Sequence, residues 1–107
     1  MSAGLSDKLR EIREKFVASL PERKERLIVL SGKLSNGQCT ADDMEDLRFI
    51  VHKIHGLAGT LGFASLGQNA AVLELQIADA IQTGGYTSTM CEGVEQLIEF
   101  IQDAMDT

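Results

Sequence analysis

Two histidines, His52 and His55, are the only ones in the 107-residue chain, and they stand three residues apart. Arg48 and Phe49 precede them, Lys53 lies between them, and Gly56 and Gly59 follow. A neutral imidazole is a nucleophile that titrates close to neutral pH, with an unperturbed pKa of about 6.5. Phosphorylated on one nitrogen, it is also a good leaving group. An exposed imidazole can therefore take a phosphoryl group from a carboxylate and give it back, a reaction governed mainly by positioning and charge stabilisation. A His pair at i, i+3 on a helix can instead chelate Zn²⁺, with Glu74 as a third candidate ligand. Against that stand the missing H-E-x-x-H pattern and the distance in sequence of Cys39 and Cys91. The chain also lacks a Gly-rich loop ending in Lys-Ser/Thr, so it holds no nucleotide-binding motif of that kind.

The helix that must carry these residues is the most clearly patterned in the chain. Thr40 caps it, and Asp42 and Asp43 complement its positive end. Met44, Leu47, Val51, Ile54, Ala58 and Leu61 form its apolar stripe, widened by Ile50 and Leu57. At about 100° per residue, His52 falls opposite that stripe, with Phe49, Gly56 and Gly59 on its side. The arrangement is locally unfavourable. Each mid-helix Gly costs about 0.5–1 kcal/mol relative to Ala, and an exposed Phe gains little in a monomer. Such departures from local consistency tend to mark functional sites. Glycines beside an exposed ring leave room for another protein's backbone, and Phe49 offers it an apolar contact.

A turn centred on Phe63 follows. His52 lies eleven residues before it and Glu74 eleven after, so an antiparallel hairpin brings the two to one height. Glu74 is expected to accept a hydrogen bond from one ring nitrogen of His52, which would fix the tautomer and leave the other nitrogen to solvent.

The remaining elements read as helices too. Leu5, Leu9, Ile12 and Phe16 make a first amphipathic stripe ending near Ser19. Pro21 in a first turn, with Ser19 and Glu22 at capping-box spacing, predicts a second helix from about Leu20 through Leu27 and Leu30 toward Leu34. Ser35-Asn36-Gly37 stops it. Ser65 and Gln68 form another capping-box pair ahead of Leu66, Ala70, Leu73, Ile77 and Ile81, and Gly84-Gly85 ends that helix. Thr87, Ser88 and Thr89 offer caps for a last helix bearing Val94, Leu97, Ile98, Ile101 and Met105. Short loops between such helices favour antiparallel neighbours. The expected fold is all-α: one domain over residues 1–107, an antiparallel up-down four-helix bundle with an additional N-terminal helix.

Composition narrows the partners. The net charge of −6 argues against nucleic acid, which normally needs a basic face. The one basic concentration, Arg23, Lys24 and Arg26, is interleaved with Glu22 and Glu25 and reads as a solvated helix face. Two isolated cysteines suit reduced thiols. No apolar run approaches the ~20 residues of a membrane span. A monomer in the cytoplasm is the expectation.

The run Val51-His52-Lys53-Ile54-His55-Gly56-Leu57-Ala58-Gly59-Thr60-Leu61-Gly62-Phe63 resembles the signature of histidine phosphotransfer (HPt) domains. That signature is His, two residues, usually Lys, Gly, a small residue, Ala, then a second Gly ahead of an apolar residue. The resemblance extends through Leu66, Ala70 and Leu73-Glu74, and to Leu20-Pro21-Glu22-Arg23 near the N-terminus, so it spans nearly the whole chain. It implies a four-helix bundle, often with an extra N-terminal helix, that relays phosphoryl groups in two-component signalling. By that resemblance His52 is the phosphoacceptor and Gly56 admits the receiver domain of a response regulator or hybrid histidine kinase. The protein would be a carrier without kinase activity or a cofactor of its own, with Mg²⁺ held by the receiver. The position usually held by Lys is His55 here, so charge stabilisation should be weaker or more pH-sensitive, with Lys53 and Arg48 as candidate substitutes. Two other readings stay open: a module that docks receivers without transfer, and a metal-binding bundle built on the His pair.

Overall fold

The computed structural model describes residues 3–107, with the side chains of Ala3 and Leu5 left out. Four helices follow one another: α1 (Ala3–Ser35), α2 (Ala41–Ala58), α3 (Ala64–Thr83) and α4 (Ser88–Met105). No strand occurs among the described residues. Each helix packs against its two neighbours in a ring, α1 beside α2 and α4, and α3 beside α2 and α4. Paired contacts run in opposite order along adjacent helices: Arg13 and Arg26 of α1 reach Leu61 and Asp46, while Lys24 and Leu34 bond Gln102 and Tyr86. The bundle is therefore up-down and antiparallel.

The stripes form its core. Leu20, Leu27, Leu30, Leu47, Val51, Ile54, Leu73, Ile77, Val94, Leu97 and Ile101 are almost wholly buried, and burying each such side chain contributes about 1.5–3 kcal/mol. Ile81 and Leu57, expected inside, are partly exposed at the margins of their stripes.

The additional N-terminal helix is not a separate element. α1 runs without interruption through Pro21, and no capping box forms at Ser19, whose hydroxyl donates to the Phe16 carbonyl instead (2.6 Å). Pro has a helix-compatible φ, and its interior cost is a missing hydrogen bond and a clash, about 3 kcal/mol. Burial of Phe16, Leu20, Leu27, Leu30 and Leu34 along one face of the continuous helix offsets that cost. Thirty-three residues at about 1.5 Å each make α1 about 50 Å long, which matches the longest dimension of the molecule, 52 Å. Its first half runs past the bundle. Phe16 closes the bundle's end against Phe63 (ring centroids 5.8 Å apart), and the Arg13 guanidinium lies 4.7 Å from the Phe63 centroid. Leu9 and Ile12, expected on a buried face, stay 45% and 43% exposed because no other helix reaches that far. Leu5 falls outside the described side chains.

Arg23, Lys24 and Arg26 are not the free solvated face that their sequence suggests. Lys24 bonds Gln102 of α4, Arg26 pairs with Asp46 (2.5 Å) and Asp43 (3.4 Å) of α2, and Arg23 is half-buried. Burial pushes the Arg23 guanidinium down despite Glu22 nearby. Glu22 and Glu25 face solvent, so this stretch of α1 turns its three cations toward the bundle and its two anions outward.

Thr40 and Asp43 cap α2 reciprocally: the Asp43 N–H donates to Thr40 Oγ1 (3.1 Å) and the Thr40 N–H to Asp43 Oδ2 (3.0 Å). Lys33 also reaches Asp43, at 3.2 Å. The Thr40 backbone hydrogen bond, aided by Lys33 and the Thr40 hydroxyl and opposed by burial, holds the Asp43 carboxyl at about 2. A carboxylate depressed in the folded state adds stability above its unfolded value, near 4, and loses it as pH falls through the folded value. Asp43→Asn should therefore lower stability at pH 7 and flatten the decline between about pH 4 and pH 2. Urea unfolding followed by circular dichroism at several pH values measures both.

At the start of α3 the Ser65–Gln68 box does not form. The helix begins at Ala64 with Phe63 as its N-cap and no side-chain cap, and the Gly67 N–H donates to the Phe63 carbonyl (2.9 Å). Gly62 makes this early start feasible by turning the chain at φ 94°, a conformation that side chains disfavour. Of the three candidate caps on α4, Thr87 takes the role, accepting from the Met90 N–H (3.2 Å).

Candidate functional site

α2 buries Met44, Leu47, Val51, Ile54 and Ala58, and so turns His52 outward. The His52 side chain is 63% exposed, and that of Glu74 on α3 only 25%. Glu74 Oε2 lies 2.9 Å from Nδ1 of His52, and Glu74 Oε1 lies 2.9 Å from Nδ1 of His55. One carboxylate thus holds both histidines. Side chains on a helix lean toward its N-terminus. In the antiparallel α2–α3 pair, His55 therefore leans toward the height of His52, and Glu74 leans toward the height of His55.

A carboxylate oxygen only accepts, so each neutral ring donates from Nδ1 and keeps its lone pair on Nε2. Burial pushes the Glu74 carboxyl up. The hydrogen bonds from both rings, and their charge whenever they are protonated, outweigh that, and it lies below its ordinary value. Glu74 is accordingly a stable anion behind two imidazoles.

The surroundings are open. A Cβ on Gly56 or on Gly59 would meet nothing within 4 Å. Beyond His55 lies a groove of about 350 Å³ lined by Gly59, Thr60, Ala64, Gly67, Gln68 and Ala71. Gly67 has the opposite character. A Cβ there would sit 3.0 Å from the backbone nitrogen of Gly59 and 3.4 Å from its Cα, so α2 and α3 meet backbone to backbone just below the site. Phe49, 59% exposed, stands at the mouth of a second groove shared with Arg23, Arg26 and Asp46.

The cations expected to substitute for Lys are engaged elsewhere. Arg48 is held by Glu45 one turn back (3.1 Å), and the Lys53 ammonium lies over the Phe49 ring (5.4 Å). His55 turns to Glu74 instead of standing free beside His52. Cys39 and Cys91 are free, partly buried thiols, and burial pushes both up. No cluster of three or more His, Cys, Asp or Glu among the described residues could hold a metal ion.

Three features, two on the surface and one buried, lie outside what the sequence pattern singled out. Leu75 is 75% exposed and Val72 more than half exposed, on the outer side of α3. Both were detectable as apolar residues out of phase with the stripe Leu66, Ala70, Leu73 and Ile77. The role of Gly67 carried no such signal, since only the helix–helix distance reveals it.

Fold and site together define a helical bundle that presents a carboxylate-held imidazole to solvent. The chain belongs to the Hpt domain family, which it matches over residues 11–106, nearly its whole length. Domains of this family are phosphocarriers of two-component phosphorelays rather than enzymes, and they interact with response-regulator receiver domains. No curated protein and no solved structure matches the chain. No helix among the described residues is long and apolar enough to cross a membrane.

Proposed function

We propose that this protein is a phosphorelay intermediate that carries a phosphoryl group on Nε2 of His52, taking it from one receiver aspartate and delivering it to another. The reading rests on one observation above all: an exposed imidazole whose Nδ1 is held by the less exposed carboxylate of Glu74. In the forward step Nε2 attacks the phosphorus of an aspartyl phosphate. The Nε2–P bond forms, the P–O bond breaks, and the aspartate leaves as a carboxylate. The proton stays on Nδ1, and the positive charge that the ring acquires faces the Glu74 anion. The reverse step regenerates the neutral ring. Mg²⁺ would be held by the receiver, and the protein brings no cofactor of its own.

The receiver would dock over α2 and α3, where Gly56 and Gly59 let its backbone come close and Phe49 and Leu75 provide apolar contact. Arg48 and Lys53, both exposed, would contribute positive charge at that surface. A single copy of the domain suffices for this, and the whole chain acts as one unit.

The test is incubation with a phosphorylated receiver. Acid-labile, base-stable label on the wild type and none on His52→Ala is the expected result. Label on neither protein, with receiver binding retained, would leave a docking module without transfer. Transfer that depends on zinc and disappears after EDTA treatment with Mg²⁺ restored would favour the metal-binding reading.

A further inference from the structure

His55 stands where the sequence pattern calls for a cation, yet its Nδ1 is turned to Glu74 and not to solvent. The consequence for Glu74 is specific. α3 contains no Lys, Arg or His over its whole length, Ala64–Thr83, so its own helix offers no cation to fix this carboxylate. A Glu side chain turns about three bonds, and a single hydrogen bond to His52 would leave the carboxylate free to rotate away. With His55 on Oε1, the remaining oxygen is directed at His52. A neutral imidazole also orients the carboxylate without cancelling its charge, as an ammonium would.

We infer that His55 is a positioning residue: it clamps Glu74 so that the carboxylate keeps its hold on Nδ1 of His52, and Nε2 of His52 remains the nitrogen that takes the phosphoryl group. The inference rests on His52 being the phosphoacceptor. The atoms balance as in the transfer above, since His55 neither gains nor loses a proton; it keeps the Nδ1–H of its own ring on Glu74 throughout. His55 therefore contributes through geometry and not by neutralising the phosphoryl oxygens, and one carboxylate sets the tautomer of both rings.

The experiment compares wild type with His55→Leu, which removes the donor, and His55→Asn, whose amide nitrogen lies near the position of Nδ1. Nitrogen-15 NMR of the imidazoles reports the His52 tautomer. The rate of labelling by phosphoramidate, a small phosphoryl donor that needs no docking surface, reports the chemistry. His55→Leu should shift His52 away from the Nδ1–H tautomer and slow labelling about three- to tenfold, the effect of one ordinary hydrogen bond. His55→Asn should restore most of both. In a Glu74→Ala background the His55→Leu change should add nothing.

An unchanged His52 tautomer and rate in His55→Leu would overturn the inference. So would an equal slowing in the Glu74→Ala background, because His55 would then act on the phosphoryl group directly. Failure of the wild type to accept phosphate while the tautomer still responds to His55→Leu would overturn the carrier reading and leave the clamp standing.

Discussion

Gly56→Leu should stabilise this protein and cripple its exchange with a receiver. The two halves come from the same observation. A Cβ at Gly56 meets nothing within 4 Å, and the position is exposed, so the new side chain starts into open space. Leu also replaces a mid-helix Gly, a gain of up to about 1 kcal/mol. That side chain projects one helical turn beyond His52, into the space that a partner's backbone must enter. A displacement of about 1 Å in the docked geometry costs on the order of a hundredfold in rate, and an isobutyl group imposes at least that. Labelling by phosphoramidate, which requires no docked partner, should stay near the wild-type rate. The measurements are a thermal or urea melt, phosphoramidate labelling, and transfer from a phosphorylated receiver. Receiver transfer at the wild-type rate would show that the partner docks elsewhere and would remove Gly56 from the site.

The contrast explains why some of the site was legible in the sequence and some was not. The pairing of His52 with Glu74 needed only the turn at Phe63 and an equal count on either side, eleven residues each way. Register in an antiparallel hairpin follows from such counting. The second bond of Glu74 was hidden because His55 is only eight residues from Phe63. Equal counting misses it, and the lean of both side chains toward their N-termini closes the gap. At α1 local signals misled. Pro21, with Ser19 and Glu22 around it, has the form of a helix start, but Phe16, Leu20, Leu27, Leu30 and Leu34 keep one phase across the proline, and all are buried. Tertiary burial outweighed the local cost of the proline. Leu9 and Ile12 continue the same stripe, and periodicity cannot tell where the neighbouring helices end.

The same leucine placed at Gly67 should have the reverse effect, and this is the most damaging single change expected at the site. Here the Cβ alone would sit 3.0 Å from the Gly59 backbone nitrogen. The obstacle is main chain in a helix, which cannot turn aside as a flexible side chain would. α3 must therefore move off α2. Overpacking of this kind costs typically 1–3 kcal/mol and occasionally more. After the gain of up to about 1 kcal/mol in helix propensity, a net loss of about 1–2 kcal/mol is expected, or roughly 5–15 °C in melting temperature for a domain of this size. The site should suffer as well, although no residue in it has changed. Glu74 is carried by α3 and both histidines by α2, at 2.9 Å, so a shift of even a few tenths of an ångström at Gly67 takes both hydrogen bonds to the edge of their useful range. Phosphoramidate labelling of Gly67→Leu, measured well below its melting temperature, should fall toward the rate of Glu74→Ala, and the His52 tautomer should lose its Nδ1–H preference. A destabilised protein that labels at the wild-type rate would mean that the carboxylate does not govern the reactivity of the ring. If instead the rate falls in step with the tautomer, the close approach of two glycines is what holds a carboxylate on one helix within reach of the imidazoles on the other.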